Sequence, residues 1–137
     1  DNYSSTESGE IALFYLAQVQ FSAGNNEDAR LHAESYISKG KSVSHRAGAH
    51  FILAEMVQME GDYHSAAEYY LSAAELSYTS VTGRRNRLNA ARCFMESGAY
   101  EKAEEVIDGL EASDETMYPL TSELTRIKVR LKILADQ

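Results

Sequence analysis

The 137-residue chain has one cysteine, one proline and no tryptophan. With Cys93 alone, no intrachain disulfide can form, and His32, His45, His50 and His64 lack metal-ligand spacing, His45 and His50 being five apart rather than on one helical line. Neither a disulfide framework nor a metal is expected to organise the fold. The redox compartment is left open by the same count. Scarce proline, present only as Pro119, together with abundant Ala, Glu and Leu, permits long helices and argues against a turn-rich β-sandwich. No apolar run approaches the roughly 20 residues that span a bilayer. Basic residues are outnumbered 13 to 21, for a formal net charge of -8. The surplus of Lys and Arg that sequence-independent phosphate binding requires is therefore missing, which excludes a general nucleic-acid role. A glycine-rich phosphate loop, a His-Glu-x-x-His helix and a Gly-x-Ser-x-Gly turn are all absent. The chain is not expected to be an enzyme or to carry a cofactor.

What it does contain is 44% apolar and 25% charged residues, enough for one folded domain over 1–137. It also repeats itself. The segments Gly24-Asn25-Asn26-Glu27-Asp28-Ala29, Gly61-Asp62-Tyr63-His64-Ser65-Ala66 and Gly98-Ala99-Tyr100-Glu101-Lys102-Ala103 are separated by 37 residues each time. In the same register Phe14, Phe51 and Leu88 align, then Ala17, Ala54 and Ala91, then Ala29, Ala66 and Ala103, and then Tyr36, Ala73 and Leu110. Small residues recurring on both sides of a glycine describe two antiparallel helices that cross closely. The glycine ends the first helix in a left-handed cap, and Asp62, Asn25 or Asn26 caps the second. Apolar spacing places helices at about 7–22, 26–39, 44–59, 63–78, 82–97, 100–112 and 117–135. Tyr63 and Tyr70 share a core-facing side of the fourth, while Tyr69 and Tyr78 are expected at the surface, Tyr69 as a candidate self-association patch. Cys93 reads as a buried, inert thiol.

These residues resemble the tetratricopeptide repeat, with its facing small residues and glycine-centred turn followed by an aromatic. The second unit carries Leu53, Ala54, Val57, Gly61, Tyr63, Ala66, Tyr70 and Ala73 at consensus places. The third supplies Ala91, Phe94, Gly98, Tyr100, Ala103, Ile107 and Leu110, and the first Leu16, Ala17, Gly24, Ala29 and Ala33. The resemblance implies an all-α fold, an α-solenoid of about three hairpins over 8–42, 43–80 and 81–115, closed by a capping helix over 117–135. That helix is expected to bury Leu120, Leu124, Ile127, Leu131 and Leu134 and to turn Glu123, Lys128, Arg130 and Lys132 outward. The 37-residue period exceeds the family's usual length of about 34, and no unit ends in proline. Longer connections are therefore expected at Lys39 to Ser44 and Tyr78 to Thr82. The longer repeat is similar to bacterial extracytoplasmic domains of the YfgM-like kind. Together with a first residue, Asp1, that is not Met, this implies a periplasmic domain tethered to the inner membrane by a segment outside these residues.

In such repeats the first helices line a concave surface that binds proteins. Carried over, the rule places Ile11, Phe14, Gln18 and Phe21, then Phe51, Glu55, Gln58 and Met59, then Arg85, Leu88, Asn89, Arg92 and Met95 on the inner wall, with Ser122, Thr125 and Arg126 extending it. The expected partner-binding set is Phe14, Gln18, Phe51, Glu55, Met59, Arg85, Asn89 and Arg92. Phe14, Phe51 and Met59 would contact a peptide, and Arg85 and Arg92 would take its carboxylates bidentately. The lysine and asparagine clamp of chaperone-binding members is not matched by Phe14, Gln18, Arg85 and Asn89. A chaperone's C-terminal tail is therefore not the expected ligand, and the expected partner is another protein or peptide whose acidic groups meet Arg85 and Arg92. The rival reading is a self-assembly module that stacks as a homo-oligomer through its terminal helices, favoured if the outer face of the last helix is apolar.

Overall fold

A computed structural model describes residues 6–77, 81–113 and 117–137. The described residues form seven helices and no strand: α1 (Glu7–Ser22), α2 (Asn26–Lys39), α3 (Val43–Met59), α4 (Tyr63–Glu75), α5 (Val81–Glu96), α6 (Tyr100–Glu111) and α7 (Thr121–Ala135). Side-chain caps start three of them. Thr6 accepts from the Gly9 amide at 3.0 Å, Ser42 from His45 at 3.4 Å and Asp62 from Ser65 at 3.1 Å. Asn25 stands at the N-cap of α2 without a side-chain hydrogen bond.

The three hairpin turns are built alike. Gly24, Gly61 and Gly98 have φ of 84, 87 and 82°, a left-handed conformation that costs a residue with a Cβ. The amide of the following residue reaches back five positions to a carbonyl, Asn25 to Gln20 at 2.8 Å, Asp62 to Val57 at 2.9 Å and Ala99 to Phe94 at 2.8 Å. That bond fills an orphan acceptor at each helix end. Ala17, Ala54, Ala91, Ala29, Ala66 and Ala103 are all fully buried. Their missing bulk allows the two helices of each pair to approach.

Packing runs in chain order. α1 pairs with α2, α3 with α4 and α5 with α6, while α2 meets α3 and α4 lies against α5 as intimately as any pair within a hairpin. α7 closes over α5 and α6. Two apolar clusters result. One joins Phe14, Ala33, Tyr36, Leu53 and Met56, and the other joins Tyr70, Leu88, Phe94, Ile107, Leu124 and Ile127. Tyr69, expected at the surface, is half-buried against both clusters, because α4 lies between two hairpins and needs two apolar sides. The Tyr78 expectation lies outside the described residues.

Two further expectations are corrected. The connection after α2 shrinks to residues 40–42, because α2 continues through Lys39 and Ser42 already caps α3. The connection expected at Tyr78 to Thr82 lies partly outside the described residues. The last helix begins at Thr121 rather than near 117, since Pro119 disfavours helical geometry in the residue before it.

Candidate binding surface along the first helices

Helical phase decides what α1, α3 and α5 present. One face of α3 carries Ser44, Phe51, Glu55 and Met59, and the equivalent face of α5 carries Thr82, Arg85, Asn89, Arg92 and Glu96. Gln18 and Ser22 hold the matching positions on α1. Between these helices opens a cleft of about 1020 Å³, lined by Gln18, Phe21 and Ser22 of α1, Ala47, Gly48, Phe51 and Ile52 of α3, and Thr82 and Asn86 of α5.

The cleft exists because the three units treat one position differently. Phe14 is covered by α3, where Gly48 lets its ring sit against the backbone, and Leu88 is covered by the cluster that includes α7. α5 does not approach α3 as closely as α3 approaches α1. Phe51, the counterpart of Phe14 and Leu88, therefore packs one edge against Tyr70 at a centroid distance of 5.9 Å and leaves the rest open. An aromatic floor bordered by Gln18, Ser22, Thr82 and Asn86 combines apolar area with hydrogen-bonding groups at its edge, the mixture that lines ligand-binding clefts.

The expected site residues separate into groups. Gln18 and Phe51 share this cleft. Phe14 does not line it, being buried among Tyr15, Tyr36 and His45 in a cluster of rings at 4.9 to 5.8 Å. Leu88 and Met95, also expected on the inner wall, are buried. Met59 is strongly exposed at the end of α3. Glu55 accepts a hydrogen bond from the Tyr70 hydroxyl at 2.8 Å, and Gln58 Oε1 lies 2.7 Å from the same hydroxyl. Burial, helped by Glu55, pushes the Tyr70 hydroxyl's pKa well above the usual 10.0.

Arg85, Asn89 and Arg92 do come together, and they hold a carboxylate of the same chain. Glu123 of α7 receives Arg85 at 3.4 Å and Arg92 at 3.2 Å, while Arg92 also donates to Asn89 Oδ1 at 3.0 Å. Glu123, expected on an outward polar face, is instead the inward tie of the last helix. Lys128 and Arg130 likewise reach back, to Glu111 at 2.7 Å and Glu96 at 2.5 Å. One turn on the wheel explains all three: they flank the buried stripe of Leu124, Ile127 and Leu131 rather than oppose it. A second cleft of about 470 Å³ lies here, lined by Arg92, Met95, Glu123, Arg126, Ile127 and Arg130. Glu123 could not have been placed from helical phase alone, since its partners are 31 and 38 residues away.

Cys93 is buried beside these arginines, and desolvation outweighs Arg92 to push the thiol up to about 11. Among the described residues no group of three or more His, Cys, Asp or Glu side chains is placed to hold a metal ion, and no helix is long and apolar enough to cross a membrane. No family model, curated protein or solved structure matches the chain.

Proposed function

We propose that the chain is an α-solenoid of tetratricopeptide type, with a 37-residue unit, that binds a peptide or protein segment along the concave surface of α1, α3 and α5. The cleft around Phe51 carries this reading: an open aromatic floor with amide and hydroxyl edges, next to a guanidinium cluster in a protein of net charge -8. The ligand is an extended or helical segment with an apolar anchor for Phe51 and a carboxylate for Arg92 and Arg126. Arg85 and Arg92 already pair with Glu123, so the incoming carboxylate competes with it.

A phage-displayed library of short peptides, selected on the immobilised protein, tests this. The expected result is enrichment of peptides combining an apolar residue with Asp or Glu, whose binding is lost on a Phe51→Gln variant and on an Arg92→Glu variant that keep their helical circular dichroism. Equal retention by the wild type and both folded variants would sink the assignment of recognition to this face.

A further inference from the structure

The 37-residue register exposes a second surface, on α1. Leu16 is 42% and Val19 65% exposed, whereas the residues 37 positions later, Leu53 and Met56, are each 1% exposed. The same contrast holds for Tyr15, half-exposed, against buried Ile52, and for exposed Ala12 against buried Ala49. On α3 this stripe is covered by the preceding hairpin, α1 and α2. On α1 Tyr15 leans on His45 of α3 along one side, and with it Ala12, Leu16 and Val19 form an exposed apolar ridge of the kind that marks an interface.

The opposite end of the chain presents a face of matching form. α7 leaves Val129 and Ile133 more than half exposed on the side turned away from α5 and α6, flanked by exposed Arg126 and Lys132. The helices are of similar size, 16 residues for α1 and 15 for α7. Their charges are opposite. Within α1 and α2 the exposed carboxylates Glu7, Glu27, Asp28 and Glu34 outnumber Lys39 and Arg30, the latter paired with Glu60, whereas exposed Arg126 and Lys132 border the open face of α7, its Lys128, Arg130 and Glu123 being tied to neighbouring helices. A molecule with an acidic, apolar-ridged head and a basic, apolar-ridged tail is complementary to its own copies in one orientation.

We infer that the chain associates head to tail, the α7 face of one copy seated on the Tyr15, Leu16 and Val19 ridge of the next. The occupant of the ridge is a second copy, chosen by charge and by length. The contact is heterologous, so one pairing leaves a free ridge at one end and a free α7 at the other, and growth continues unless the rotation closes a ring. Val19 also lines the rim of the Phe51 cleft, so a copy seated on the ridge borders the concave surface, and Leu16→Asp alone serves as the blocked variant that leaves the cleft lining unchanged.

Sedimentation velocity of the intact chain over a range of concentrations and salt tests the inference with two blocked variants, Leu16→Asp alone and Val129→Asp with Ile133→Asp. All three positions are exposed, and circular dichroism checks each fold. The wild type should show a sedimentation coefficient that rises with concentration and falls back with added salt. Each variant alone should be monomeric throughout. An equimolar mixture of the two should form a one-to-one dimer and nothing larger, because each supplies the face the other lacks. A monomeric wild type overturns the inference. So does a dimer of the Val129→Asp, Ile133→Asp variant by itself, which would assign the ridge to a symmetric α1 to α1 contact.

Discussion

The ring of Phe14 fills the space a side chain on Gly48 would need: a Cβ at Gly48 would stand 2.7 Å from Phe14 Cζ. A glycine inside a helix ordinarily weakens it by about 1 kcal/mol relative to alanine. Here that loss allows α1 and α3 to come together over a buried aromatic.

Gly48→Ala should therefore lower stability, the overpacking cost of about 1–3 kcal/mol exceeding the gain of about 1 kcal/mol in helix propensity. Phe14→Leu alone should also be destabilising through lost packing. Combined, the two should cost less than their sum, and urea unfolding of the four proteins measures that coupling. Strict additivity would mean that the helices shift apart freely and that Gly48 is not needed for the contact.

The pair also marks what a reading of the sequence reaches. The turns of Gly24, Gly61 and Gly98 and the alanine crossings were legible, because a left-handed cap and a close approach each demand one residue type. Helix ends followed within a few residues for the same reason. Phe14 was not legible as core, since its counterparts Phe51 and Leu88 have the same phase and pattern. Only the unequal spacing of α1, α3 and α5 decides which ring is covered. Nor was Glu123, whose role depends on where α7 lies across α5. Pattern fixes which face of a helix is apolar, and the crossing of distant helices fixes what covers it.

Acid should loosen the fold through His50. Its ring is half-buried, 6.4 Å from Tyr69, its Nδ1 has no hydrogen-bond partner, and burial with the nearby Arg46 charge lowers its pKa below the usual 6.5, against a smaller opposing effect of Glu75. The unfolded chain then takes up a proton near pH 6.5 while the folded chain stays neutral there. Stability is full above that pH and declines as pH falls through it toward the folded value. Asp62, lowered from 3.8 by its bonds to Ser65, contributes only at more acidic pH. Thermal midpoints at about pH 7.5 and 5 should differ less in a His50→Gln variant than in the wild type. An unchanged difference would remove His50 as a source of the acid sensitivity.

Alkali acts at Tyr70. Its hydroxyl has one proton to share between Glu55 and Gln58, both within 2.8 Å. Tyr70→Phe should cost about 1–2 kcal/mol, a value set by a hydrogen bond to a charged acceptor that keeps some access to water. Because the folded pKa lies above the usual 10.0, the wild type is stabilised below that pH and loses the contribution as pH rises through it. The ultraviolet tyrosinate signal should contain a step that appears only as the chain unfolds, and Tyr70→Phe should reduce that step by one tyrosinate. A Tyr70 that ionises in the folded protein would contradict the burial argument.

Glu123 fastens α7, and in the proposed function it would also compete with a bound carboxylate; the two effects separate by magnitude. Its ion pairs with Arg85 and Arg92 are partly exposed, so Glu123→Gln should lower stability by no more than about 1 kcal/mol. The same change removes one negative charge from a cleft lined by Arg92, Arg126 and Arg130. A unit charge roughly 6 Å away in a water-like medium is worth about 0.7 kcal/mol, close to a threefold change in affinity. Fluorescence anisotropy of a labelled glutamate-rich peptide should show the variant binding about threefold more tightly than the wild type at low salt, with the advantage shrinking as salt rises. Weaker or unchanged binding at preserved stability would mean that Arg85 and Arg92 serve only to hold α7, and the search for a carboxylate receptor would move away from them.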